Sequence, residues 1–139
     1  MGNKTFTLNE ANELLPQLKE DLLQLQQLTA QFENQYLNYQ KEKAAYEQAY
    51  VPGQGSRDPF FEQESQLEFL KIEADLLIEN FSRKGVLLKM INPGLIDFPA
   101  VLNGEDILIC WKEGEQHISH YHGWHDGFVG RKPFPEGGR

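Results

Sequence analysis

The chain has one cysteine, Cys110, so no internal disulfide can brace it. No apolar run approaches the ~20 residues of a membrane-spanning helix, so a membrane partner is not expected. The first residues, Met1-Gly2-Asn3-Lys4-Thr5-Phe6-Thr7, lack the apolar stretch of a secretory signal. Phe6 also stands where a myristoylation signal needs Ser or Thr. Basic residues never cluster: 13 face 21 acidic ones, a net charge of −8, and acids are in excess in both helical segments and in the remainder. Phosphate backbones are gripped by clustered Lys and Arg, so nucleic acid is not an expected partner either. Internal repeats are absent, as are Cys-x-x-Cys, His-Glu-x-x-His and Walker patterns. These absences leave a soluble protein of a reducing cytoplasm as the expectation.

What is present divides into two halves with different periods. The first reads as helix. Thr7 and Glu10 have capping-box spacing: the hydroxyl takes a free backbone N–H and the carboxylate reaches back to the cap. Ala11, Leu15, Leu18, Leu22, Leu25, Thr29, Phe32, Tyr36 and Tyr39 then recur at spacings of three and four. They form one stripe suited to coiled-coil-like packing on another helix. Pro16 interrupts the pattern; it lacks an N–H and its ring crowds the preceding turn, which predicts a kink near Leu14-Leu15 or a second helix starting at Pro16. From there the pattern runs to about Tyr50, a rod of roughly 50 Å that needs a partner along its length.

The partner follows a turn-rich stretch at 51–59. Asp58 and Pro59 suit the N-cap and first position of a second helix. Phe60, Leu67, Leu70, Ala74, Leu77 and Phe81 form its stripe, and Gly85 is a natural left-handed stop. An antiparallel hairpin over 1–85 is therefore predicted.

After Gly85 the period becomes two. Val86 to Met90 and Leu95 to Phe98 read as strands, Asn103-Gly104 as a tight hairpin turn, and Asp106 to Trp111 as the clearest strand. Gln116 to His122 completes an antiparallel meander of three or four strands over 86–122. The Gly- and Pro-rich stretch 123–139 reads as loop, frayed at its end. The fold class is α+β: a single domain, 1–139, with a long helical hairpin packed on a small sheet.

Several of these segments are familiar. Phe6-Thr7-Leu8 with Glu10-Ala11 and Leu14-Leu15-Pro16, then Gly94 to Ala100, Cys110-Trp111, Gly114-Glu115, His122 and Gly127 to Pro133 together resemble the DUF2203 family, a bacterial domain of unknown function. The resemblance covers nearly the whole chain. It implies a cytoplasmic bacterial protein with a helical hairpin joined to a small sheet, and it brings no activity. It carries His122 and the Gly-x-x-Gly-Arg segment, but not His117, His120 or His125.

Chemistry concentrates near the C-terminus, where all four histidines lie between positions 117 and 125. On a strand, His120 and His122 point to one face, and His125 follows in a loop. Together they are candidate ligands for a divalent metal such as zinc, the one cofactor considered. The plainer alternative is a pair of solvated histidines. Asp97 faces away from Ile96 and Phe98, so it could orient His122 as an acid–base pair; these two are the candidate catalytic residues. Gly127, Gly130 and Arg131 could cradle an anion. The preferred reading there is structural, with Arg131 paired to Asp97 or Glu115. Cys110 faces the side of Leu108 and reads as a buried, inert thiol. The leading function is a non-enzymatic interaction or scaffold module, self-associating as a homodimer or binding a protein partner through its helices. A small-molecule- or metal-binding enzyme centred on the histidine cluster is the alternative.

Overall fold

The computed structural model describes residues 4–49 and 59–135. Helix α1 spans Leu8–Ala49 and helix α2 spans Phe61–Arg83. Five strands follow: β1 Leu87–Met90, β2 Leu95–Leu102, β3 Glu105–Lys112, β4 His120–Gly123 and β5 Lys132–Pro133. They pair antiparallel in the order β1-β2-β3-β4-β5. This is the α+β class expected, with more strands than the three or four foreseen. The extra strand comes from the segment read as loop. The Phe134 N–H donates to the Ser119 carbonyl over 2.8 Å, while Phe134 packs on Tyr121 with ring centroids 5.1 Å apart. Those contacts hold Lys132–Pro133 against β4 despite the proline.

The capping box forms as its spacing implies. The Thr7 amide donates to Glu10 Oε1 over 2.8 Å, and the Glu10 amide donates to Thr7 Oγ1 over 3.1 Å. Pro16 does not start a second helix: α1 runs unbroken through it. Pro16 is exposed, so its ring needs no room in the core, and the Asn12 carbonyl that it cannot serve loses only one bond of the ladder. Helix α2 begins later than foreseen, with Phe60 at its N-cap. Asp58 and most of the turn at 51–59 lie outside the described residues, as do residues 136–139. Phe60 is drawn inward instead, packing edge-on against Tyr39 at 5.9 Å and Tyr46 at 5.5 Å. At the other end Gly85 takes φ +86°. Its amide donates to the Ser82 carbonyl over 3.0 Å and the Val86 amide to the Phe81 carbonyl over 3.3 Å. This is a Schellman stop, and the buried pair Phe81 and Val86 supplies its apolar contact.

The core lies where the hairpin base meets one face of the sheet. Ala11, Leu15, Leu18, Leu22 and Leu25 of α1 and Phe81 of α2 pack on Ile96, Phe98, Ala100, Ile107, Ile109 and Trp111. Farther out, Thr29, Phe32 and Tyr39 are only half-buried, because only α2 covers them. Polar ties hold α1 and the residues just before it to the sheet and its loops, Gln26 donating to the Ile91 carbonyl over 2.8 Å among them. The Phe6 amide donates to the Pro99 carbonyl over 2.8 Å. Asn12 both accepts from the Ile118 amide (2.7 Å) and donates to the Ile118 carbonyl (3.2 Å). Asp21, buried in α1, is met by Lys84 and by Gln17. Alternation along the strands then puts Asp97, Leu108, Cys110 and His122 on the opposite face, and these too are buried.

Candidate functional site

The second face of the sheet collects the polar residues. The Asn103-Gly104 turn, with φ +53° and +80°, pairs Leu102 with Glu105 and thereby Asp97 with Cys110. Strand β4 pairs His122 with Leu108 and His120 with Cys110. From that register His122 reaches diagonally past β3, and its Nε2 lies 3.2 Å from Asp97 Oδ1. His122 Nδ1 lies 2.8 Å from the Gly123 carbonyl. Cys110 Sγ completes a group in which three potential ligand atoms fall within 4.8 Å of one another. All three side chains are sealed from solvent: Asp97 is 2% exposed, Cys110 0% and His122 4%.

The segment after β4 folds back beneath this face. Gly127 takes φ +71°, a single turn of 3-10 helix spans Phe128–Gly130, and Arg131 follows. The Arg131 guanidinium sits 4.3 Å from the Phe128 ring centre. It grips Glu115 with both arms, at 3.1 and 2.6 Å, and also reaches Cys110. Glu115 further accepts from the Lys112 amide over 2.9 Å. Burial alone would raise the Glu115 pKa. The Arg131 hydrogen bonds, the Lys112 amide and the Arg131 charge outweigh it, so the carboxyl is held below its usual range. The same hydrogen bond to Glu115 raises Arg131. Burial first, then the charge and hydrogen bond of Asp97, push the Cys110 thiol up to about 12, against a weaker lowering by Arg131. The thiol is therefore neutral near pH 7 and no nucleophile.

The candidate residues thus separate into two sets. Asp97 and His122 meet as a buried acid–base pair. His120 and His125 do not join His122. The His120 Nδ1 is 2.9 Å from Ser119 Oγ, and His125, like His117, is exposed. The grouping found is Asp97, Cys110 and His122, and it replaces the three histidines as the place where ligand atoms converge. Gly127 precedes the 3-10 turn and Gly130 closes it. They do not form an open anion cradle with Arg131, whose fork is engaged by Glu115. Cys110 is the member missed from sequence. Its signal was the two-residue turn, since closing β2 on β3 at Asn103-Gly104 sets Asp97 against Cys110.

A family model described as an uncharacterised conserved protein, DUF2203, matches residues 4–134. The chain belongs to the DUF2203 family. Membership agrees with the resemblance carried by the Cys110-Trp111 and Gly127 to Pro133 segments. The DUF2203 description carries no activity. No curated protein and no solved structure matches the chain. Among the described residues of this DUF2203 chain, no helix is long and apolar enough to cross a membrane.

Proposed function

We propose that this protein is a cytoplasmic, non-enzymatic interaction module that docks a basic amphipathic helix on its hairpin. One observation carries the reading. The solvent-exposed side of α2 bears an apolar row, Phe61, Phe69, Ile72 and Leu76, exposed by 72%, 63%, 48% and 57%. Spacings of three, four and eight place these residues on one helical face, opposite the stripe of Leu67, Leu70 and Phe81. Exposed apolar rows of this kind are docking surfaces more often than accidents, because water is a poor neighbour for them. Acidic residues rim the row, Glu62 and Glu73 on one side and Glu68 and Asp75 on the other, while Glu79 is already paired with Arg83 over 3.0 Å. Beside it, an open groove of about 560 Å³ runs between the helices, lined by Leu28, Leu76 and Leu77 among polar residues that include Glu73 and Arg83.

The rim decides between occupants. A second copy would bring the same acids to the same place in a chain of net charge −8, and like charges across an interface cost affinity. A helix with leucines on one face and lysines on its flanks satisfies both the row and the rim. The test is titration of the full chain with a synthetic Leu/Lys amphipathic peptide, alongside light scattering. The expected result is a monomer that binds the peptide, with binding weakened by salt and abolished by the double variant Phe69→Glu, Ile72→Glu. A stable dimer dispersed by that variant would replace the basic partner with a second copy. Peptide binding indifferent to both the variant and salt would remove the proposal.

A further inference from the structure

The polar group on the far side of the sheet points to a second, independent property. The two nitrogens of His122 face two acceptors, the Gly123 carbonyl at 2.8 Å and Asp97 Oδ1 at 3.2 Å. A neutral imidazole has one N–H to give. If Nδ1 donates to the carbonyl, the Nε2 lone pair confronts a carboxylate oxygen, and a cation must lie between them. That cation is either a proton or a metal ion. The arrangement has the form of a metal-ligating histidine, whose second nitrogen is anchored on a backbone carbonyl so that the first presents its lone pair. The third nearby ligand is a thiol, Cys110 Sγ, within 4.8 Å of the other two atoms.

We infer that Asp97, Cys110 and His122 form a site for a Zn²⁺-class ion. The donor set selects the class: thiolate and imidazole favour Zn²⁺ over the hard cations Mg²⁺ and Ca²⁺, which take oxygen shells. Binding replaces the S–H bond of Cys110 with a sulfur–metal bond and releases that proton to water, along with any proton on Nε2. Charge then closes locally. The dication is balanced by the Asp97 carboxylate and the Cys110 thiolate, while Arg131 remains neutralised by Glu115. Three protein ligands leave one of the four positions of zinc to water or to another donor. The site does not involve the α2 surface, so it stands or falls apart from the docking reading.

The test uses the full, untagged chain, stripped of metal and refolded with Co²⁺, so that burial of the site does not exclude the ion. Cys110 is the sole cysteine, so a thiolate-to-Co²⁺ charge-transfer absorption can arise from no other residue. The expected result is that band at one Co²⁺ per chain, displaced by Zn²⁺, with a higher melting temperature in either metal. Cys110→Ser removes the band, and His122→Gln weakens binding by at least about tenfold. The triple variant His117→Ala, His120→Ala, His125→Ala leaves both unchanged. Absence of the band from the refolded wild-type chain overturns the site even if the Cys110 and His122 variants fail to fold. Loss of Co²⁺ in the triple variant would return the metal to His117, His120 or His125.

Discussion

In the metal-free protein, Cys110 offers a sharp test of the packing on the outer face of the sheet. With its pKa pushed from 9.0 to about 12, the folded chain holds about a thousandfold less thiolate at pH 8 than the unfolded one. Alkylation proceeds through the thiolate, and the side chain is wholly buried, so access adds to the protection. Labelling with iodoacetamide at pH 8, in the native state and in guanidinium, should therefore differ by about three orders of magnitude. Burial is the first cause and Asp97 the second, so Asp97→Asn should restore only a small part of the reactivity. The sign of the pH dependence follows. A thiol whose folded value is raised binds its proton more tightly when folded, so its contribution to stability is full below pH 9 and drains away from there towards pH 12. Native labelling within tenfold of the unfolded rate would refute the burial argument. A melting temperature in the Cys110→Ser protein that falls just as steeply above pH 9 would refute the linkage.

Gly94 lies against α1, and a methyl group there would sit 2.2 Å from Leu22 Cδ2 in the packed core. Gly94→Ala should cost about 1–3 kcal/mol in denaturant unfolding, and an unchanged midpoint would mean that Leu22 has room to turn. Thr7→Ala removes one arm of the capping box and should cost about 1 kcal/mol by the same measurement, with no effect on Co²⁺ binding. Asp97→Ala leaves His122 facing a vacated partner in a sealed interior. Thermal melts should show a loss of about 3 kcal/mol, far more than the same change at exposed Asp75. Equal losses at the two positions would show that the Asp97 and His122 contact carries little.

Much of the fold was legible because two devices write it locally. Period and caps fix the helices: Thr7 with Glu10 at one end and Gly85 at the other are where the structure has them. Asn103-Gly104 fixes the β2 and β3 register. Tertiary contacts hid the rest. The start of β4 at His120 depends on Asn12 holding Ile118, a contact across 106 residues that no local pattern announces. The N-terminus of α2 lies at Phe61, where Phe60 packs on the aromatic rings of α1, a contact that no local pattern announces. The Asp97 and His122 meeting could be suspected from alternation, whereas the entry of Cys110 needed the registers of β2 on β3 and β3 on β4 together. The exposed row on α2 was hidden in plain view, since a helix with apolar residues on two sides reads from composition as one broad stripe.

The clamp of Asn12 on Ile118 also bears on how the molecule comes into being. One primary amide takes the place of a neighbouring strand for the backbone just ahead of β4. The His122 imidazole, four residues further along, cannot reach its seat until the start of α1 and the closing quarter of the chain have met. Contacts spanning so much chain are slow to close, since the entropy of the intervening loop is lost before any reward arrives. Assembly is thus bound to wait for the final strands to leave the ribosome, and until then the half-made sheet carries Ile109 and Trp111 on an open edge.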